Sequence, residues 1–548
     1  MTTVAVIMAM LVAVMLSGVL VRLLPLAIPL PFIQIGLGFL IAAVFQRGVL
    51  IEPDIFFLLF LPPLLFLDGW RVSKVAVLRD ASSIAQLALG LVFLTVAAVG
   101  YLIHWMIPAV PLPVAFAIAA IVSPTDPVAL EAISHRVRIP GRMRTILEGE
   151  ALFNDASGLV AFRIAAAAAL TGAFSWAEAI GSFLWLAIAG IVVGMVITWL
   201  LMGTRARLTR RFGAEPGSDV LLSLITPFFV YYVAEQIGAS GILAAVAAGI
   251  TMSYAEMSGR LAAATRVERH AVWNLLQFTL NGMMFVLLGE QLPTLIDNLS
   301  SAASESGAQH LYWLPVYGLA VCAGLIACRL LWVTVSLKIA ALRARRLGRT
   351  TIAPHPRLIL AMALAGVRGA VTLAGVMTLP FALLDGSPFP ARDLAICLAA
   401  LVILFSLLLA SLGLPPLMKG LEVPSSERDR REQATLHRTR LQAALKGVRE
   451  AAAQFGQASP ADAALYRDVA ERVSLELRRE ACAYGDPEAS APPDARDLYI
   501  ERQLRLQAVA AARQAIYQLA RRHQISDSLA REQVMLLDME EARIRASH

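Results

Sequence analysis

The sequence predicts an all-α polytopic membrane protein with a helical cytosolic tail, and three observations predict it. Of 548 residues, 58% are hydrophobic and only 16% charged, where a soluble domain carries roughly a quarter charged residues; mean hydropathy is +0.68. Roughly the first four hundred residues are a succession of apolar runs, and a run of about 20 residues at about 1.5 Å rise crosses a hydrocarbon core of about 30 Å. The loops between the runs alternate between basic and nearly free of Lys and Arg.

In order, the runs place about thirteen spans: 3–20, 23–44, 54–69, 82–107, 112–134, 145–171, 178–203, 218–235, 239–253, 271–292, 311–337, 356–382 and 391–417. The first lacks a basic n-region and is too long for a typical cleaved signal, so it reads as a retained span. The second contains Pro25, Pro29 and Pro31. The third, FLPPLLFLDGW, is bent by Pro62 and Pro63 and carries Asp68 near its end, either as a cation funnel or as an interface marker. The ninth is short. Cys322, Cys328 and Cys397 lie in apolar runs and read as buried structural thiols, while Cys482 lies in the tail; the four lack metal-ligand spacing.

One set of loops contains WRVSKVAVLRD, HRVRIPGRMR, TRARLTRRFG and KIAALRARRLGRT; the other contains TGAFSWA, PTLIDNLSSAASESGAQH and LLDGSPFP. Cytoplasmic loops carry the basic excess, so thirteen spans put the N-terminus outside and the C-terminus inside. The net charge of +7 sits in these short loops, which a membrane protein explains better than a nucleic-acid partner does. Residues 1–420 therefore form a transmembrane domain. Residues 421–548, rich in Arg, Glu, Ala and Leu at helical period, form a cytosolic helical tail, either a packing or oligomerisation appendage or a regulatory domain.

The fifth and twelfth spans are interrupted. SPTDP (123–127) sets two prolines, a serine, a threonine and Asp126 in the middle of an apolar run. Proline lacks an N–H and clashes with the preceding turn, and broken backbone in a bilayer is tolerable only around protein or a wet cavity. The freed carbonyls, the Thr125 hydroxyl and the Asp126 carboxylate are oxygen donors of the kind a hard monovalent cation needs. In LAGVRGAVTLAGV (364–376), Gly366, Gly369 and Gly375 weaken the helix around Arg368. The two interruptions are seven spans apart, so they cross the membrane in opposite senses, as in transporters built from two inverted six-helix repeats.

The sixth span, EGEALFNDASGLVAFR, holds Glu148, Glu150, Asn154, Asp155 and Arg163. Glu150 and Asn154 share a helix face. Asp155 lies more than a turn inside, among apolar residues, where a bare carboxylate is costly and marks a functional site. Glu150 and Arg368 are expected to pair, since neither is tolerable alone. Glu148 reads as a headgroup-level acid or a site residue, and Arg163 as snorkelling or locally paired. A passive cation channel would use the same broken helices, and an intramembrane aspartyl protease could use Asp126 and Asp155. No filter-like repeat and no Gly-x-Gly-Asp stretch in the spans supports either.

SPTDPVAL, EGEALFNDASGLV, GVRGAV, LPPLLFLDGW and WNLLQFTLNGMMFVLLG (273–289) together resemble the sodium/proton exchangers, more narrowly the bacterial NhaP-type members of the monovalent cation:proton antiporter-1 family, over about residues 3–417. The resemblance implies a transporter, not an enzyme. It would be a homodimer in the lipid of the bacterial inner membrane, exchanging Na+ (or Li+ or K+) for H+ in pH homeostasis, with no cofactor and no nucleic acid. It implies that Asp155, beside Asn154, holds cation or proton in turn, that Thr125 and Asp126 help line the site, that Asp68 lies near the ion pathway, and that Arg368 pairs with Glu150. An Asn-Asp pair is associated with electroneutral exchange. Ala151 stands where many members have a serine whose hydroxyl can ligate the cation. Water or Ser157 would have to replace it, although Ser157 is ~200° round the helix from Asp155. Glu290 falls where an apolar residue is expected. For the tail, the resemblance names no ligand.

Overall fold

In the computed structural model the described residues are 2–23, 28–45, 53–72, 74–126, 141–172, 175–213, 216–256, 263–306, 310, 312–346, 355–383, 387–419, 427–458, 463–483, 506, 509–510, 512, 516 and 527–546. They are helical apart from turns, short extended connections and one isolated bridge between Ala382 and Pro388. The chain divides into two units, Met1–Leu421 and Glu422–His548.

The first unit begins with α1 (Thr2–Leu23), α2 (Leu30–Phe45) and α3 (Pro53–Arg71). One long element follows, built from α4 (Lys74–Ala85), a π-turn over Gln86–Leu91 and α5 (Val92–Met106). Next come α6 (Leu112–Val122), α7 (Gly141–Thr171), α8 (Trp176–Phe212), α9 (Pro216–Gln236), α10 (Gly241–Glu256) and α11 (Ala263–Asp297). The unit closes with the short α12 (Leu299–Glu305), α13 (Trp313–Arg346), α14 (Pro356–Leu364), α15 (Ala370–Met377) and α16 (Arg392–Met418). Among the described residues eight helices are long and apolar enough to cross a membrane, and Leu30–Phe45, Leu112–Val122 and Gly241–Tyr254 are shorter apolar helices. The second unit contains α17 (Glu427–Ala458), α18 (Ala463–Ala483), which packs along α17, and α19 (Asp527–Ala546).

Two features keep the helices around the site in place. Helices α2 and α11 touch backbone to backbone: a Cβ built on Gly38 would overlap the Val286 carbonyl, and one on Gly289 the Ile35 carbonyl. Small residues allow this approach, which in lipid replaces the hydrophobic effect as the source of helix attraction. The apolar cluster with the most buried members among the described residues joins α5, α6, α7, α14, α15 and α16, and α6 is buried over nearly all its length, from Val114 to Val122.

Where α15 ends and α16 begins, polar side chains close the helix termini. Arg392 donates through Nε to the Leu379 carbonyl (3.1 Å) and through Nη2 to the Met377 carbonyl (3.2 Å), and its guanidinium lies 4.0 Å from the centre of the exposed Phe381 ring. Glu305, at the end of α12, accepts from the Leu394 amide at 2.8 Å, and Ser301 donates to Asp393 at 2.8 Å. The sequence reads 293–310 as a loop nearly free of Lys and Arg; instead Leu299–Glu305 is a helical turn that caps its neighbour, satisfying orphan amides of the kind every helix start carries.

Burial pushes the Glu305 carboxyl above its ordinary range and the nearby Asp393 adds to this, against the lowering effect of the Leu394 amide and Arg392. The folded protein therefore holds a proton there that the unfolded chain has already released, so stability falls as pH rises through that window. Glu305→Gln keeps an acceptor for Leu394 and removes the titration, so relative to the wild type its thermal midpoint should gain as pH rises from about 4. An unchanged slope would refute the assignment.

Candidate functional site

The two interruptions meet. Helix α6 stops at Val122, and Ser123–Asp126 are not helical; Pro127 and the basic loop up to Pro140 lie outside the described residues. Helix α14 stops at Leu364, and Ala365–Gly369 form a non-helical connection into α15. The Asp126 amide donates to the Val367 carbonyl at 2.8 Å, one break satisfying the other. The Arg368 guanidinium donates to the Val122 carbonyl at 2.7 Å and to the Gly366 carbonyl, and the Arg368 amide donates to Ser406 Oγ of α16 at 3.0 Å. Arg368, 4% exposed, thus places its positive charge on the carbonyls that the breaks release, which is where a helix C-terminus attracts a cation. A Cβ on Gly369 would overlap the Asp126 carboxylate, so only glycine lets that carboxylate lie against the N-terminus of α15.

Helix α7 completes the site. A Cβ on Gly158 would overlap the Pro124 ring, so a missing side chain lets α7 press against the break. Asn154 donates from Nδ2 to Thr125 Oγ1 at 2.9 Å, and its buried Oδ1 accepts no hydrogen bond from the described residues. Between α7 and the crossing lies a cavity of about 40 Å³ whose polar walls are Thr125, Asp126, Asp155 and Thr372, with Pro124 and Leu159 among the apolar ones. By the measure on which one water takes about 10–15 Å³, it has room for an ion and a little water. The negative charges of Asp126 and Asp68 both reach Asp155, although Asp68 is not part of the wall. The structure therefore brings together Asp155, Asp126 and Thr125, with Asn154 attached through Thr125. It adds Thr372, which the sequence reading did not single out, although it is a hydroxyl in the first turn of the half-helix after a break.

The expected pairing of Glu150 with Arg368 is corrected. Glu150 takes a two-pronged ion pair from Arg329 of α13, Nη1 to Oε1 at 2.5 Å and Nη2 to Oε2 at 2.7 Å, with the two side chains 2% and 1% exposed. Arg329 Nε donates to the Met362 carbonyl at 2.8 Å, tying α7, α13 and α14 together. The physical reason is division of labour: Arg368 is engaged by loose carbonyls, so the second intramembrane arginine answers the buried acid. Arg368 remains within electrostatic reach of Glu150.

Other polar residues of α7 stand apart from the cavity. Glu148 pairs with Arg144 on the surface at 3.1 Å, and Arg163 pairs with Glu235 at 3.2 Å. Ser157 does not replace the serine absent at Ala151: its hydroxyl is directed at the Ala88 carbonyl, 2.5 Å away. Glu290 is buried on α11, where Gln291 donates to it at 2.8 Å, and is not in the cavity wall.

A family model for the sodium/hydrogen exchanger transmembrane region matches residues 7–420. An uncharacterized Na(+)/H(+) exchanger of Escherichia coli (strain K12), YjcE, is 38% identical over 540 residues, 98% of each chain, so the likeness includes the tail. A sodium, potassium, lithium and rubidium/H(+) antiporter of Bacillus pumilus is 44% identical over 405 residues, 73% of this chain and 59% of that one. The solved sodium proton antiporter MjNhaP1 of Methanocaldococcus jannaschii has the same fold, at a TM-score of 0.57 and 21% identity over 77% of this chain and 99% of its own. The chain belongs to the sodium/hydrogen exchanger family, whose members are cation:proton transporters and not enzymes.

Proposed function

We propose that this protein is a secondary antiporter that exchanges a monovalent cation, Na+ first and Li+ or K+ as alternatives, for H+, one for one and therefore without net charge movement. One observation carries the reading: a single carboxylate of α7, Asp155, opens on the cavity at the crossing of two broken helices. Cation and proton compete for Asp155, and the site crosses the membrane only when one of them neutralises it, since a bare carboxylate in low dielectric is too costly. Thr125 and Asp126 supply further oxygens, Asn154 holds Thr125, and Asp68 attracts the ion. Arg329 with Glu150, and Arg368 at the break, hold the frame. Ala151 leaves one protein ligand fewer, which suits a loosely selective site completed by water.

The same proposal includes thirteen crossings in two inverted six-helix repeats, a homodimer in the bacterial inner membrane, and the C-terminal unit in the cytosol as a regulatory or oligomerising tail. In everted vesicles, adding Na+, Li+ or K+ to a preformed pH gradient should dequench a pH-sensitive dye, and collapsing the membrane potential should leave the rate unchanged. Cation entry that needs no proton counterflow would instead indicate a channel, and a rate that follows the potential would refute one-for-one exchange.

A further inference from the structure

The long element in front of α6 contains a π-turn, Gln86–Leu91, in an otherwise α-helical run. Such wide turns are rare and concentrate at functional sites. This one is a junction. Its Ala88 carbonyl is 2.5 Å from the Ser157 hydroxyl of α7, while the carbonyls of α7 itself that Ser157 can reach, Phe153 and Asn154, are both at 3.1 Å. A Cβ on Gly90 would overlap the Trp332 ring of α13, so the turn also seats that ring. Ser336, one turn further along α13, donates to the Gln86 side chain at 3.0 Å. Ser157 is only 2% exposed.

Ser157 lies ~200° round α7 from Asp155, and Gly158 only ~60° from it. On the Gly158 side α7 is pressed against Pro124 of the break. About 100° round the helix from there it is held by Ala88. The helix is therefore held on two faces, by the break at Gly158 and by the π-turn at Ser157, and the second contact fixes its rotation and with it the separation of Asp155 from Thr125 and Asp126.

We infer that Ser157, through its hydrogen bond to the π-turn, is a positioning residue that sets the cation-binding geometry of Asp155 without touching the ion. The inference rests on the reading of Asp155 as the exchange site. Full-length protein in liposomes, assayed over a range of Na+ concentrations, tests it. Ser157→Ala should raise the KM for Na+ about two- to tenfold, the range of one hydrogen bond's net contribution expressed as an equilibrium constant, with little change in kcat. Ser157→Thr restores the hydroxyl and should bring KM back. Shortening the π-turn by deletion of Leu89 should raise KM as well, and Ser157→Ala should then add nothing further. A wild-type KM in Ser157→Ala overturns the inference. So does a loss confined to yield, thermal midpoint and kcat, or a raised KM that Ser157→Thr fails to correct. If Asp155→Asn abolishes exchange while Ser157→Ala is silent, the positioning role alone is wrong; if Asp155→Asn still exchanges, both readings fall.

Discussion

Asp155→Asn is expected to reduce cation-dependent proton flux to the level of empty vesicles while leaving the protein folded and extractable. An amide at 155 occupies the same volume on α7 and keeps the cavity walls, but it neither ionises nor holds a proton for release. A carboxylate facing a cavity of about 40 Å³ must be neutralised before it can cross low dielectric, because the desolvation cost of a bare charge is several kcal/mol even after relaxation. On the proposed mechanism, the amide removes both that cost and the competition that would couple the two fluxes. Asp126→Asn should be milder: it removes a second oxygen donor from the wall, so the KM for Na+ should rise while exchange persists. Equal and complete loss in both variants would mean that the two acids act as one unit, and unimpaired exchange in Asp155→Asn would end the proposal.

Arg329→Ala should be the most destabilising single change in the membrane unit. It leaves Glu150, 1% exposed, as an uncompensated buried charge, and breaking such a pair from one side costs about 3–5 kcal/mol. Replacing both partners with apolar residues of similar size, Arg329→Met with Glu150→Leu, should recover much of the loss, since a buried ion pair contributes little over well-packed hydrophobic residues. Thermal midpoint and yield in detergent are the measurements. The double variant should lie well above the sum of the singles. The same cycle with Arg368 and Glu150 should be closer to additive, because the Arg368 side chain is bonded to the Val122 and Gly366 carbonyls. The reverse outcome would reinstate the pairing first expected from the sequence.

What was legible in the sequence had a local cause. Prolines and glycines in apolar runs announce broken helices from backbone chemistry alone, and the breaks at 123–126 and 365–369 fall where they announce them. A carboxylate among Phe153, Leu159 and Val160 is conspicuous for the same reason. Tertiary choices were not legible. Nothing along the chain decides which of two buried arginines reaches Glu150, and Arg329, in CAGLIACRLLW, was passed over although an arginine in such a run is itself a signal. The π-turn spans QLALGL, which has no proline and a single glycine to announce it, and what meets it, the Trp332 ring and the Ser157 hydroxyl, comes from elsewhere in the chain. The helical turn at 299–305 was hidden because its serines and alanines look like loop until Glu305 meets the start of α16.

The peptide hydrogen bond from Asp126 to Val367 makes the two interrupted segments mutually dependent. Straightening either one into continuous helix would withdraw the partner on which the other relies, at a depth where little water can substitute. Neither arm of the cross is then easily reshaped by itself, and on the proposed mechanism the motion that carries the ion is expected to move both together. Substitutions that ease the winding of one segment are tolerable only alongside a matching change in the other.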